Sequence, residues 1–172
     1  NGEPMPDIFT MRANGTGRTN LTNDVSSYGG PAWSPNGKRI AFSDFRDGNF
    51  DIFTMRPNGS DRTKLTDDPG NDDNPAWSPD GKRLAFQSDR SGRSQIYVMN
   101  ADGSAPINRT KSRHDEVTPA WSPDGREIAF SSDRDGSGDI HTMRANGSDQ
   151  TRLTTNVAPD EVPDWQPKPK RR

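Results

Sequence analysis

The stretch PAWSPDGKRLAF, beginning at Pro75, recurs as PAWSPNGKRIAF from Pro31 and as PAWSPDGREIAF from Pro119. A shortened copy, PDWQPKPKRR, runs from Pro163 to the end. The chain's four tryptophans, Trp33, Trp77, Trp121 and Trp165, lie in these copies at a constant spacing of 44 residues. A unit of that length cannot bury its apolar face alone and must stack on copies of itself, and a period of about 40–45 residues with a tight polar turn is that of a propeller blade.

The remaining segments repeat in the same register. DIFTM from Asp7 corresponds to DIFTM from Asp51, QIYVM from Gln95 and DIHTM from Asp139, with Ile8, Ile52, Ile96 and Ile140 alternating against Phe9, Phe53, Tyr97 and His141. That two-residue period is a strand signature. Asn14-Gly15, Asn58-Gly59, Asp102-Gly103 and Asn146-Gly147 follow as hairpin turns, and Thr22, Thr66, Thr110 and Thr154 mark a last short strand. Each full unit therefore reads as four antiparallel strands: A (the Trp strand), B (the Ala-Phe strand), C (the Ile strand) and D (the Thr strand). The expected fold is all-β, a β-propeller of about four 44-residue repeats in a single domain. Blades are expected at 31–66, 75–110 and 119–154, with a fourth split between 7–22 and 163–172. Trp33, Trp77, Trp121 and Trp165 are expected in the core, between blades.

Mean hydropathy is -1.13 and only 26% of residues are hydrophobic, values that would suit a disordered chain. The fixed register of the apolar positions argues instead for thin blades with polar loops. A net charge of -2 gives no electrostatic case for nucleic acid. The absence of cysteine excludes disulfides and thiolate metal sites, and no apolar run reaches the roughly 20 residues of a membrane span. The sequence opens on Asn1 rather than Met, which suggests a processed or excised chain. Glycosylation-like tripeptides at Asn14, Asn20, Asn58, Asn108 and Asn146 are read as by-products of the turn chemistry.

The run PAWSPDGKRLAFQSDRSGRSQIYVMNADGS and its two neighbours, with the SPDG turn, the SDR element, the strand C pattern and the ADGS turn in order, resemble the WD40-like PD40 repeat of TolB-type β-propellers. The resemblance implies a six- to eight-bladed ring, periplasmic or exported in bacteria, that works as a non-enzymatic binding scaffold for a protein or peptide. Similar blades also gate the catalytic domain of prolyl oligopeptidase-like serine peptidases, which is the alternative reading. The first repeat departs from the pattern, with Ser43-Asp44-Phe45-Arg46 where the others have Ser88-Asp89-Arg90 and Ser132-Asp133-Arg134, so its B–C loop is expected to differ in shape.

Little in the chain suggests catalysis. There is no GxSxG elbow, and the two histidines stand apart. His141 replaces an aromatic residue on strand C and is expected to pack; His114 lies in a D–A loop. Acidic residues recur before the tryptophans: Asp72 and Asp73, Asp115 and Glu116, Asp160 and Glu161. With His114 they form the candidate partner-binding face, a ring of negative charge suited to a basic peptide or protein surface. The first repeat has Ser27, Tyr28 and Gly29 there, and turn capping is the competing explanation. In the B–C loops, Asp47, Asn49 and Asp51, and again Asp133, Asp135 and Asp139, place hard oxygen ligands at alternating positions, as calcium would require. The second repeat has Ser91, Arg93 and Gln95 instead. No other cofactor is expected. The basic tail of Lys168, Lys170, Arg171 and Arg172 reads as a solvated end. Because the chain opens with strands C and D and closes with strand A, a homodimer that completes an eight-position ring is expected, with four-blade closure within one chain as the alternative.

Overall fold

The computed structural model describes residues 6–136, 138–155 and 157–166. The tail residues Lys168, Lys170, Arg171 and Arg172 lie outside them. Three four-stranded antiparallel sheets follow one another: β3 (Ser27–Trp33), β4 (Ile40–Arg46), β5 (Asn49–Met55) and β6 (Thr63–Lys64); β7 (Asp72–Trp77), β8 (Arg83–Ser88), β9 (Gln95–Asn100) and β10 (Ile107–Asn108); β11 (Glu116–Trp121), β12 (Glu127–Ser132), β13 (Asp139–Arg144) and β14 (Thr151–Arg152). Each is a meander in chain order, A to D. A two-stranded sheet, β1 (Phe9–Thr10) with β2 (Thr19–Asn20), supplies strands C and D ahead of the first full blade. Residues 163–166, expected as a lone strand A, carry no strand assignment.

The seams between blades hold the core. Trp121 is joined by Ala85, Ile96 and Val98 of the preceding blade and by Ile128, Phe130 and Met143 of its own. The indole Nε1 of Trp77 donates to the Ala32 carbonyl at 3.2 Å, that of Trp121 to Ala76 at 3.2 Å and that of Trp165 to Ala120 at 3.0 Å. Each tryptophan thus reaches back to strand A of the blade before it. Among the described residues no strand A precedes that of Trp33, which is 52% exposed, against 8% for Trp121. The expectation that all four tryptophans are core is corrected here. Trp121 is buried and Trp77 and Trp165 half-buried, whereas Trp33 is exposed.

The recurring Asp and Thr are the lock between strands C and D. Thr22, Thr66, Thr110 and Thr154 each accept, on Oγ1, the backbone N–H of Ile8, Ile52, Ile96 or Ile140 at 2.8–3.0 Å. The same hydroxyl donates to Asp7 at 2.8 Å, to Asp51 at 3.4 Å, to Gln95 at 2.9 Å and to Asp139 at 3.5 Å. Where the strand C residue is a buried aspartate, strand D supplies a cation: Lys64 Nζ is 2.9 Å from Asp51 and Arg152 Nη2 is 2.8 Å from Asp139. Gln95 needs none, and Asn108 stands at the matching position.

Candidate binding site

In such meanders the B–C and D–A loops come out on one side of the blades and the A–B and C–D turns on the other. The inner strands of neighbouring blades pack on each other, β3 on β7 and β7 on β11. Each of β3, β7 and β11 is interrupted by a bulge, between Gly29 and Ala32, Asp73 and Ala76, and Val117 and Ala120. The proline that opens every Trp motif sits there, where the ladder does not need its missing N–H. The preceding residues, Gly30, Asn74, Thr118 and Val162, share a left-handed backbone with φ of 53°, 51°, 51° and 57°. For branched Thr118 and Val162 that conformation is costly, and its recurrence shows that the fold imposes it. These four residues and Pro31, Pro75, Pro119 and Pro163 line one cavity of about 190 Å³. Gln87 joins two blades beside it, its Oε1 accepting from Asn74 Nδ2 at 3.1 Å and from the Thr118 N–H at 3.2 Å. The Gly-Pro, Asn-Pro, Thr-Pro and Val-Pro pairs were the sequence signal for this cavity.

The acidic residues divide into two groups. Asp72 and Glu116 are fully buried. Arg90 Nη2 meets Asp72 Oδ2 at 2.7 Å, and Arg134 Nη2 meets Glu116 Oε1 at 2.7 Å. Each arginine also donates from Nε to the serine that ends strand B, Ser88 at 2.8 Å and Ser132 at 2.9 Å. Burial pushes the Glu116 carboxyl above its usual range, opposed by Arg134. In the first blade the acid has moved across the ladder. Tyr28 takes the place of Asp72 and Glu116, Asp44 takes that of Ser88 and Ser132, and Arg46 Nε meets Asp44 at 2.6 Å while Nη2 donates to the Tyr28 hydroxyl at 3.2 Å. Each full blade thus buries one carboxylate at this end under the same arginine. The unusual Ser-Asp-Phe-Arg spelling and the Tyr28 that interrupts the acidic series are two halves of one exchange. The first B–C connection also differs, being a two-residue turn at Asp47 and Gly48, both with positive φ.

Asp72 and Glu116 therefore present no charge to a partner, which corrects their assignment to the binding face. Asp73 is half-buried and accepts from Ser43 Oγ of the preceding blade at 2.5 Å. Asp115 is more open. It accepts the Ser94 N–H at 3.0 Å and meets Arg93 at 3.2 Å, while its own N–H donates to Asp133 at 2.9 Å. His114 Nδ1 lies 3.5 Å from Asp133. Asp160 is half-buried and Glu161 exposed. Asp24, Asp47, Asp67, Asp133, Asp135 and Glu161 are exposed acids of the loop side. The turn side is the more basic, with Lys38, Arg39, Lys82, Arg83 and Arg126 on the A–B turns and Arg12, Arg56 and Arg144 on the C–D turns.

The two sets read as calcium ligands are spread apart. Asp51 and Asp139 are buried under Lys64 and Arg152, Asn49 spends its amide N–H groups on the carbonyls of Asp68 and Gly70 at 2.8 and 3.0 Å, and Asp47 is exposed. Among the described residues no group of three carboxylate or imidazole side chains is placed to hold a metal ion. The strand C carboxylates Asp51 and Asp139 instead serve the C–D lock. His141 is buried and stacked on Phe130, with ring centroids 5.8 Å apart and Nε2 at 3.4 Å from Asp135. Burial, aided by Arg134, holds its pKa below the usual histidine value.

The TolB beta-propeller domain model, PD40, matches residues 2–117, and the chain belongs to this family. Among solved structures it is similar to a putative TolB from Agrobacterium tumefaciens, with 28% identity and a TM-score of 0.80, over 87% of this chain and 57% of that one. TolB from Acinetobacter baumannii matches with 24% identity and a TM-score of 0.74, over 88% and 38% of the two chains. A puromycin-hydrolyzing peptidase from Mycobacterium tuberculosis shares the fold at 16% identity and a TM-score of 0.69, over 89% of this chain and 26% of that one. Comparison with curated protein sequences returned no match. The chain spans little more than half the length of the first TolB structure. Among the described residues no helix is long and apolar enough to cross a membrane.

Proposed function

We propose that this chain is a non-enzymatic TolB-like binding scaffold, acting in the bacterial periplasm, that engages a basic protein or peptide through the loop side of its blades. The observation that carries the proposal is the sorting of charge. The acids closest to the ladders are buried under arginines, while Asp133, Asp135 and Glu161 are exposed and Asp115 half-buried in the loops of the same side. Such a surface attracts a cationic partner at long range and loses grip as salt screens it. Replacing Asp115, Asp133 and Asp135 by Asn and Glu161 by Gln is expected to weaken binding of a Lys/Arg-rich peptide and to flatten its salt dependence, measured by fluorescence anisotropy. Unchanged affinity and salt slope would overturn the proposal. The peptidase-gating alternative draws only on fold likeness at 16–17% identity. We infer further that two copies associate to give eight blade positions; a mass at micromolar concentration equal to one chain would refute this.

A further inference from the structure

We propose that Asn146 is a site of spontaneous covalent modification, its side-chain amide being lost to attack by the Gly147 nitrogen, which leaves aspartyl and isoaspartyl chains at the seam between the second and third blades. Among the described residues Asn14, Asn36, Asn58 and Asn146 each precede a glycine in an exposed turn, the last three within complete blades. Glycine has no Cβ to screen its backbone nitrogen, so that nitrogen can reach the asparagine Cγ. A bond forms between the Gly147 nitrogen and Cγ, the bond from Cγ to the side-chain nitrogen breaks, and that nitrogen leaves with the amide proton as ammonia. Water then opens the cyclic imide. Addition at Cγ gives aspartate; addition at the backbone carbonyl carbon gives isoaspartate, in which the chain runs through the side chain.

The turn restrains both reacting groups. Gly37, Gly59 and Gly147 each donate their N–H to the carbonyl three residues back, at 2.8–2.9 Å. The nucleophile is therefore released only while the turn is open. The hold on the amide differs from turn to turn. Asn36 Oδ1 accepts from Ser34 Oγ at 2.9 Å and from the Lys38 N–H at 3.0 Å, and Asn58 Oδ1 from the N–H and hydroxyl of Ser60 at 3.1 and 2.7 Å. Asn146 Oδ1 has the Ser148 N–H alone, at 3.0 Å. Its Cγ is the least restrained of the three.

The two products act differently on the fold. Aspartate already stands in this turn of the second blade, where Asp102 Oδ1 accepts the Ser104 N–H at 3.0 Å and its hydroxyl at 2.7 Å. An aspartyl chain keeps the turn. Isoaspartate adds a methylene to the backbone and turns the Asn146 carbonyl, which accepts from Arg109 Nη1 at 3.4 Å, into a free carboxylate. Gly147 has no room to shift, since even an added Cβ would collide with the Arg109 carbonyl oxygen. Gln150 Nε2 ties the Gly147 carbonyl, at 3.3 Å, to the Thr110 carbonyl of the preceding blade, at 3.1 Å. The isoaspartyl chain loses contacts that fasten the third blade to strand D of the second.

The test is to hold the folded chain in mildly alkaline buffer, digest it, and follow deamidation at Asn36, Asn58 and Asn146 by peptide mass spectrometry, beside a synthetic peptide spanning 142–152. With one hydrogen bond fewer, Asn146 should convert roughly fivefold faster than Asn36 or Asn58. It should convert more slowly than in the peptide. Conversion of Asn36 or Asn58 first, equal rates at the three, or an intact Asn146 after the peptide is consumed overturns the proposal. The isoaspartyl fraction, separated by ion exchange, should melt below the unmodified chain, whereas Asn146→Asp should melt with it. Equal melting of the isoaspartyl and Asn146→Asp chains overturns the effect on the seam.

Discussion

Replacing Gly103 by alanine measures how tightly two blades meet. Gly103 has φ of 88°, and its Cβ would lie 2.5 Å from the Leu65 carbonyl oxygen and 3.1 Å from the Leu65 Cα. Two costs follow. Holding an L-residue in the left-handed region costs about 1–2 kcal/mol. Forcing a methyl group against backbone of the neighbouring blade, which has no flexible side chain to yield, costs about 1–3 kcal/mol more. Gly37 is the control: it has φ of 67°, sits in an A–B turn, and meets nothing within 4 Å of an added Cβ. Gly37→Ala should therefore show the first cost alone, and Gly103→Ala should exceed it by about 1–3 kcal/mol. The assay is urea unfolding followed by tryptophan fluorescence, since Trp77 and Trp121 report on the seams. Equal losses for the two variants would refute the reasoning, because the close approach would then contribute nothing beyond the backbone conformation.

Removing the guanidinium above Glu116 by Arg134→Met should cost about 3–5 kcal/mol, since it strands a buried carboxylate, and adding Glu116→Gln should restore much of the loss; thermal unfolding of both variants checks this. His141 titrates below its usual range when folded, so the unfolded chain binds the proton more readily and stability should fall as pH drops below about 6.5. His141→Phe, which copies Phe53, should flatten that dependence in a melting-temperature series, and an unchanged slope would assign the acid sensitivity to other groups.

The strand pattern, the turns and the blade order were legible in the sequence because a repeat states its register several times over. Single positions read in isolation were less secure. Asp72 and Asp73, or Asp115 and Glu116, look alike as acidic pairs before a tryptophan. Yet β7 holds Asp72 and Asp73 on alternate faces, and β11 begins at Glu116 and leaves Asp115 outside, so one acid of each pair is turned inward and buried. Whether it survives there as a charge depends on an arginine 18 residues away, Arg90 or Arg134. The spacing of the Ser-Asp-Arg element held that information, but only the folded ladder shows the two groups meeting.

The same limit applied to the tryptophans and the calcium ligands. By itself the sequence determined the blade, since hydrophobic periodicity and turn chemistry are local and recur with the repeat. The tertiary structure alone decided which equivalent positions are equivalent in environment. Trp33 and Trp121 share a motif, but among the described residues only Trp121 of the two has a preceding strand A packed against it. Asp51 and Asp139 share the alternating spacing of ion ligands, but each lies under a strand D cation. Burial and ion pairing are set by what the neighbouring strand or blade brings, and a repeat specifies its own residues without specifying whether a neighbour stands beside them.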